Sequence, residues 1–311
     1  MSPYAYRAYG LVIHSALELR NLEPAGDGPV DVIITLGQAA DLDGEVVRRS
    51  NWQATPGRFL IDVENVARFL VTDGRSIHVQ TAPGVDHDDL VAYLLGSALG
   101  ALLQQRRILP IHASAIRTDH GAVLIAAASG VGKSTLAAAL QARGLAQLAD
   151  DVTGIVFDGE GRAMAVPAFP GTRLWPDSVR ALGRQHEEGR RVRAEIEKVY
   201  LPIVNFCAEA QPVRGIVALS THNRPQIRVE PFDALDRATW IVRNTFRKRF
   251  INGLGLNGFL FQASTDLARQ VQMVKVMRPS EGFALDALAD RVVALLQDPV
   301  DWADRPDMPA A

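Results

Sequence analysis

The chain has 311 residues, of which 48% are hydrophobic and 22% charged, and its 33 basic and 35 acidic residues give a formal net charge of −2. A chain of this length and composition can bury one large core or two smaller ones, which excludes disorder as its main state. The near-zero net charge creates no global field that attracts nucleic acid or an acidic membrane, so we expect neither as a partner.

The cysteine content and the length of the apolar runs indicate the cellular compartment in which the protein is expected. The only cysteine, Cys207, allows neither an intramolecular disulfide nor a cysteine-based zinc site, in keeping with a reducing cytosol. The first residues lack the charged and apolar regions of a secretory signal. The longest uncharged apolar run, Leu90 to Leu103, has 14 residues and is too short to cross a bilayer. We therefore expect a cytoplasmic protein in which this run is a buried helix.

The residues before Leu109 alternate between strand-like and turn-like pieces. Val30 to Leu36 is a β-branched run, and Ala67 to Gln80 has the pattern of a hairpin around Asp73-Gly74. Asp86 to Leu103 predicts a helix with an acidic first turn. No catalytic constellation is recognisable in this part, so the pattern predicts a β-rich amino-terminal domain over residues 1–108.

From Leu109 onward, short apolar strands are separated by glycine-rich turns. A strand, a glycine loop, a helix and a second strand make one unit of the βαβ type. The predicted strands are 111–117, 122–126, 146–149, 153–157, 163–168, 214–219 and 226–229, and the predicted helices are 133–143, 233–249 and 285–296. We expect an α/β domain over residues 109–298 and a flexible, proline-rich tail over 299–311.

A phosphate-binding loop is the strongest motif in the sequence. Residues 127–134, Ala-Ala-Ser-Gly-Val-Gly-Lys-Ser, match the pattern in all but the first position, where alanine replaces glycine. Gly130 and Gly132 let successive N–H groups face one anion, and the helix that begins at Lys133 adds its positive dipole end. Lys133 can bridge the β- and γ-phosphates, and the Ser134 hydroxyl can ligate Mg²⁺. The flanking strand and amphipathic helix favour nucleotide binding over a chance glycine turn.

Two adjacent carboxylates, Asp150 and Asp151, follow the next predicted strand, seventeen residues after Lys133. A Mg²⁺-bound triphosphate needs a carboxylate near the metal, and transfer to a hydroxyl benefits from another that takes the proton. Open α/β sheets bind ligands at the carboxyl ends of their strands, so a functional role is favoured over a solvated loop. His112 lies on the strand before the loop. Its position on an apolar strand, taken alone, predicts a hydrogen-bonded core residue.

Together these residues resemble the catalytic domain of the HPr kinase/phosphorylase family. The matching positions are His112-Ala-Ser114, Ser129-Gly-Val-Gly-Lys-Ser134 and Ala149-Asp-Asp151. The resemblance implies an α/β fold with a P-loop kinase core of the HPr kinase/phosphoenolpyruvate-carboxykinase type, preceded here by the smaller, β-rich α+β domain. It also implies Mg-ATP-dependent phosphorylation of a serine in a peptide or small protein. Relatives of this family often form homo-oligomers.

The resemblance also implies roles for individual residues. Ser134 and Asp150 would ligate the metal, His112 would lie close to the transferred phosphoryl group, and Lys133, Asp150 and Asp151 would act in catalysis. How Asp150 and Asp151 divide metal ligation and general-base duty stays open. The residues that would bind the phosphates are Ser129, Gly130, Val131, Gly132, Lys133, Ser134 and Thr135.

One family motif is missing. The bifunctional members carry Glu-Ile-Arg-Gly-x-Gly, tied to phosphorolysis, and this chain has no match to it. The segment Phe169 to Pro176 and the β-rich amino-terminal half look more like shortened kinases of peptide-modification gene clusters, among them the lasso-peptide precursor kinases. The alternatives are an HPr serine kinase, a small-molecule P-loop kinase and an ATP-binding regulator without turnover.

Three further features have two interpretations each. Arg173 and Trp175 follow the Asp-Asp strand and can line an acceptor groove. The simpler interpretation is that Arg173 is a surface charge and Trp175 a core anchor. The charged run 184–198 predicts a solvated helix, with a lid as the alternative. Arg243, Arg247, Lys248 and Arg249 form a positive patch that can attract an acidic peptide or a triphosphate, and a solvated helix face explains them equally well.

Overall fold

The structure, a computed structural model, describes residues 3–26, 28–176, 179, 190–193, 196–282 and 284–297, with the backbone alone described at 173, 190–193 and 196–198. The predicted tail at 299–311 lies outside these residues, as does much of the charged run 184–198. The described parts of that run are strands, so the prediction of a helix there is wrong.

The first of two large sheets is formed by residues between Tyr4 and Thr81. Its strands are β1 (Tyr4–Ala8), β2 (Leu11–Ser15), β3 (Glu23–Pro24), β4 (Val32–Leu36), β5 (Val47–Arg48), β6 (Trp52–Thr55), β7 (Arg58–Val63), β8 (Ala67–Thr72) and β9 (Ser76–Thr81). They lie in the order β3-β1-β2-β4-β9-β8-β7-β6-β5. The predicted hairpin is present as β8 and β9, and positive φ angles at Asp73 and Gly74 make its turn.

An interrupted helix connects the two large sheets. It consists of α1 (His87–Tyr93), a π-helical segment (Leu94–Ala98) and α2 (Leu99–Gln105), and thus covers the predicted helix. The Asp86 carboxylate caps it by accepting the N–H groups of Asp88 and Asp89. Within the described parts of the chain, no helix is long and apolar enough to cross a membrane.

The second large sheet carries the glycine loop. Its strands are β10 (Leu109–Ile111), β11 (Ala113–Thr118), β12 (Gly121–Ala127), β13 (Gln147–Ala149), β14 (Thr153–Phe157), β15 (Ala163–Val166), β19 (Gln211–His222), β20 (Arg228–Pro231) and β21 (Gln272–Pro279). A small sheet beside it contains β16 (Gly171–Leu174), β17 (Arg190–Arg193) and β18 (Ile196–Pro202). The other helices of the described residues are α3 (Lys133–Ala142), α4 (Ala234–Arg243), α5 (Asn257–Gln270) and α6 (Leu285–Gln297), with a short 3-10 helix at Lys248–Phe250.

The predicted βαβ unit is present with one difference. The strands β12 and β13 run in the same direction, but β11 lies between them and pairs antiparallel with both. On its other side β12 pairs in parallel with β19, which in turn pairs in parallel with β21. The strand predicted at 111–117 is broken at His112, and the helix predicted at 233–249 ends at Arg243. The sequence did not indicate α5 or β21.

Both faces of β12 are buried. Leu124 and Ala126 belong to the principal core, which contains residues of both large sheets, whereas Val123 and Ile125 pack in a second core with α3 and α6. A strand buried on both faces is typical of the middle of a mixed α/β sheet covered by helices. The loop that follows β12 is therefore held by a rigid strand on one side and a packed helix on the other.

Candidate functional site

The glycine loop has the backbone that its sequence predicts. It follows β12 directly, and α3 begins at Lys133, so the first N–H groups of the helix open toward the loop. Gly130 has a φ of 84° and Gly132 a φ of 110°, in the left-handed region that favours glycine. Ala127 is the last residue of β12 and is absent from the positive-φ residues. Alanine is tolerated at the first motif position for this reason.

Lys133 lies in a cluster of polar groups at the base of the cleft. Its ammonium group donates to Asp150 Oδ1 at 3.3 Å, to the Ser114 hydroxyl at 3.3 Å and to the Ser134 hydroxyl at 3.4 Å. The Lys133 side chain is 8% exposed and that of Asp150 is 1% exposed. A buried pair of this kind is retained when each charge is matched by its partner and by further hydrogen bonds.

Asp150 is enclosed by donors from three elements. Besides Lys133 at the start of α3, the Ser114 hydroxyl on β11 donates to Oδ1 at 2.6 Å, and the Thr172 hydroxyl on β16 donates to Oδ2 at 2.7 Å. All three donors are buried. The carboxylate of Asp150 thus faces its own protein partners, and it does not line the open cleft.

Asp151 faces the cleft from a tight turn. Its φ of 66° is left-handed, and the N–H of Val152 donates to the carbonyl of Asp150 at 2.8 Å across it. This turn of three residues is uncommon and strained, and aspartate tolerates the left-handed region better than most residues. The Asp151 carboxylate is 36% exposed and lies 3.9 Å from Lys133 Nζ and 3.5 Å from His112 Nε2.

His112 lies at the break between β10 and β11. Its backbone N–H donates to the carbonyl of Asn244 at 2.9 Å, so the segment after α4 holds the break in place. The His112 ring is partly exposed and lines the cleft together with Asp151. By spacing alone a buried core histidine was expected, whereas the His112 ring is partly exposed at the cleft.

The cleft brings most of the predicted residues together. It is lined by His112, Asp151, Leu174, Trp175 and the loop residues 127–130 and 132–135. Trp175 is well exposed at the cleft, unlike a core anchor. The side chain of Arg173 lies outside the described residues. Of the predicted site residues, Val131 and Asp150 do not line the cleft. The Val131 carbonyl and the Asp150 carboxylate instead accept hydrogen bonds from other side chains of the protein.

Three residues at the site were not singled out by the sequence. Ser114 and Thr172 are the hydroxyl donors to Asp150, and Arg278, at the end of β21, donates from Nε to the Val131 carbonyl at 3.0 Å. Burial lowers the pKa of the Arg278 guanidinium from its ordinary value, although an arginine stays cationic near neutral pH. Ser114 belongs to the His-x-Ser segment, which is the one sequence signal among the three.

The donor set suits a metal held partly by substrate. Within the described ranges, no group of three or more His, Cys, Asp or Glu side chains is placed to hold a metal ion. Magnesium commonly takes one or two protein oxygens and completes its shell with phosphate oxygens and water. The Ser134 hydroxyl and a carboxylate at the rim of the cleft fit that mode, whereas a site made by protein alone does not.

This chain has a likeness among solved structures, but no match among family models or curated proteins. No family model matches the sequence, and no curated protein matches it. Among solved structures, the Hpr(Ser) kinase/phosphatase from Coxiella burnetii matches with a TM-score of 0.30 and 14% sequence identity, over 61% of this chain and 94% of that chain. That protein is a weak structural neighbour of this chain.

Proposed function

We propose that the protein is a Mg-ATP-dependent kinase that transfers the γ-phosphoryl group to a serine of a peptide or small protein. The proposal rests on one observation, that the glycine loop and the aspartate pair lie next to each other at one cleft. Lys133 Nζ, at the start of α3, lies 3.3 Å from Asp150 Oδ1 and 3.9 Å from Asp151 Oδ1, and it donates to the Ser134 hydroxyl at 3.4 Å. A phosphate cradle and a carboxylate at one cleft are what phosphoryl transfer to a hydroxyl requires.

The contacts of the two aspartates favour different roles. Asp151, partly exposed and lining the cleft, is the carboxylate that can take the proton of an incoming hydroxyl. Asp150, with both oxygens engaged by buried donors, acts as a positioning residue that holds Lys133. This division departs from the expected metal-binding role of Asp150, because its carboxylate is 1% exposed and does not line the cleft.

The remaining residues bind and orient the reactants. The N–H groups of the loop and the helix end hold the phosphates, and Lys133 neutralises charge that develops on them. A Mg²⁺ ion, bound with Ser134, would supply further charge neutralisation on the phosphate oxygens. The acceptor oxygen forms a bond to the γ-phosphorus as the bond to the ADP oxygen breaks, and the hydroxyl proton passes to Asp151. His112, beside Asp151, orients that carboxylate.

A label-transfer assay tests the proposal. The protein is incubated with γ-labelled ATP and Mg²⁺ and offered serine peptides encoded beside its gene, HPr and a set of hydroxyl metabolites. Label on a peptide or on HPr supports a protein serine kinase, and label on a neighbouring peptide alone supports a precursor-peptide kinase. Label on metabolites alone would replace the proposal with a small-molecule kinase. Nucleotide binding without label on any acceptor would replace it with a regulator.

The Arg278 contact gives a prediction about the loop. Replacing Arg278 with methionine removes the donor to the Val131 carbonyl and keeps an unbranched side chain, so the loop loses one of its restraints. We expect the Kd for Mg-ATP to rise about tenfold, because hydrogen bonds to charged groups contribute about 1.5–3 kcal/mol. Arg278→Lys should recover only part of the affinity, since lysine has no Nε group.

Calorimetric titration with a non-hydrolysable ATP analogue measures that effect. The control is Arg224→Met, at an exposed arginine for which the structure shows no side-chain hydrogen bond or ion pair among the described residues. Unfolding free energies are measured in parallel, so that a loss of affinity can be separated from a loss of stability. An Arg278→Met protein that binds nucleotide as tightly as the control would disprove the role of Arg278 in holding the loop.

A further inference from the structure

A second groove, here called the basic groove, adjoins the cleft at His112. It is lined by His112 and residues 127–129, which also line the cleft, and by residues 243–249 on its far side. The two spaces are therefore continuous. Residues 243–249 contain Arg243, Arg247, Lys248 and Arg249, so the far wall is strongly cationic.

The cationic wall consists of the last residue of α4 and the turn that follows it, up to a 3-10 helix at Lys248–Phe250, and not of the continuous helix face that the sequence predicted. After α4 ends, the Phe246 N–H donates to the Pro110 carbonyl at 2.7 Å, and Asn244 accepts the N–H of His112. The buried Gln104 amide donates to the carbonyls of Phe246 and Arg247, at 2.9 and 3.2 Å. The turn is thus fixed to the same segment that carries His112 into the cleft.

Backbone conformation and close packing fix the turn further. Arg247 has a φ of 53°, which is unfavourable for a long side chain and persists only where the surroundings impose it. Phe246 packs so closely on α2 that a Cβ atom added at Gly100 would lie 2.9 Å from its ring.

Three cationic side chains of this wall have no acidic partner among the residues that the structure describes. Arg243, Lys248 and Arg249 are exposed, and among the described residues no carboxylate lies within ion-pair distance of them. The whole chain has a net charge of −2, so this positive wall is a local feature of the groove. Arginine pairs with carboxylates in a bidentate manner, which suits it to recognise an anionic ligand.

We propose that the basic groove binds an acidic segment of the peptide acceptor, next to its serine. This inference rests on the proposed function, since it specifies the acceptor class of the same site. A serine hydroxyl that reaches Asp151 lies beside His112, because the two side chains are 3.5 Å apart. From that point the acceptor chain continues into the basic groove, where its carboxylates meet Arg243, Lys248 and Arg249. The phosphates of ATP are held by loop residues 130 and 132–135, which line the cleft but not the basic groove.

Binding of defined peptides, without ATP, tests the inference directly. Two fluorescein-labelled probes each carry one serine, flanked by four glutamates in one probe and by four lysines in the other. We expect the wild-type protein to bind the glutamate probe at least about tenfold more tightly, with an affinity that falls as ionic strength rises. The triple variant Arg243→Gln/Lys248→Gln/Arg249→Gln should lose this preference.

A second triple variant controls for the loss of positive charge elsewhere on the protein surface. Arg7→Gln/Arg224→Gln/Arg269→Gln removes three exposed arginines outside the groove and should bind the glutamate probe as the wild type does. Lys248→Glu alone, at one exposed position of the turn, should weaken glutamate-probe binding by a smaller factor and thus tests the groove even where the triple variant folds poorly. Circular dichroism establishes which variants are folded.

Several outcomes would overturn the inference. Equal binding of the two probes to the wild type would do so, as would undiminished binding of the glutamate probe by the folded groove variants. A variant that loses affinity for Mg-ATP but not for the probe would make the groove part of the nucleotide site. Tighter binding of a single-stranded RNA oligonucleotide than of the glutamate probe would make it a nucleic-acid site instead.

The inference and the proposed function can fail separately. Groove-dependent binding of the glutamate probe, in a protein that labels no acceptor, would support the groove and overturn the kinase proposal. Label transfer to peptides with a KM that is the same in the groove variants and in the wild type would support the kinase proposal and overturn the groove.

Discussion

The Asp151→Asn protein is expected to transfer phosphoryl groups about 10²- to 10⁴-fold more slowly than the wild type, the range typical for loss of a general base. Asparagine keeps the size of the side chain and, like aspartate, tolerates the left-handed φ of 66° at this turn. The backbone should therefore be preserved while the proton acceptor is lost. Since Lys133, Ser134 and the loop remain intact, the Kd for Mg-ATP should change by less than about threefold, a small effect in free energy.

A matched control for this variant is Asp73→Asn. Asp73 also has a left-handed φ, of 52°, and is exposed in the hairpin between β8 and β9, outside the cleft. Single-turnover label transfer and nucleotide titration are measured for both variants. Asp73→Asn should match the wild type in both assays. Transfer by Asp151→Asn at a rate within a few-fold of the wild type would show that Asp151 is not the base, and Asp150 would then be the next candidate.

The Asp150→Ala protein is expected to be less stable than the wild type by about 3 kcal/mol, the lower end of the range for a broken buried ion pair. The substitution leaves the Lys133 ammonium, 8% exposed, without its nearest carboxylate, and it leaves the Ser114 and Thr172 hydroxyls without their acceptor. Asp151, 3.9 Å from Lys133 Nζ, compensates in part. Guanidinium-induced unfolding measures the loss.

Two further variants show whether the loss comes from the buried pair. Asp290→Ala removes a carboxylate, 69% exposed, that pairs with Arg143, and should change the free energy of unfolding by less than about 0.5 kcal/mol. Adding Lys133→Met to Asp150→Ala removes the buried charge and should recover part of the stability. Equal losses in Asp150→Ala and Asp290→Ala would contradict the description of Asp150 as the buried anchor of Lys133.

The sequence predicted the parts of the structure that depend on local chemistry. Glycine spacing gave the left-handed positions in the loop at Gly130 and Gly132, and Asp73-Gly74 gave a hairpin turn. The buried strand before the loop and α3 after it were likewise found, because continuous apolar character and helical periodicity are local signals. The mixed α/β character of the chain follows from the same signals.

Features that depend on long-range pairing were missed. The insertion of β11 between β12 and β13 reflects strand pairing between distant residues, which no local pattern encodes. The early end of α4 is imposed partly by Gln104, more than 140 positions away, through its hydrogen bonds to the turn at Phe246 and Arg247. The enclosure of Asp150 by Ser114 and Thr172 has the same origin, so the sequence alone could not separate the environments of the two aspartates.

Every form of the proposed reaction requires nucleotide in the loop, so equilibrium binding is the most direct test. Calorimetric titration with a non-hydrolysable ATP analogue is carried out on the wild type with Mg²⁺, on the wild type with EDTA, and on Lys133→Ala. We predict binding by the wild type that is strengthened by Mg²⁺ and weakened at least about tenfold in Lys133→Ala, because a charge-assisted contact to the phosphates is lost. A wild-type protein that binds no nucleotide, or a Lys133→Ala protein that binds it equally well, would contradict the proposed site.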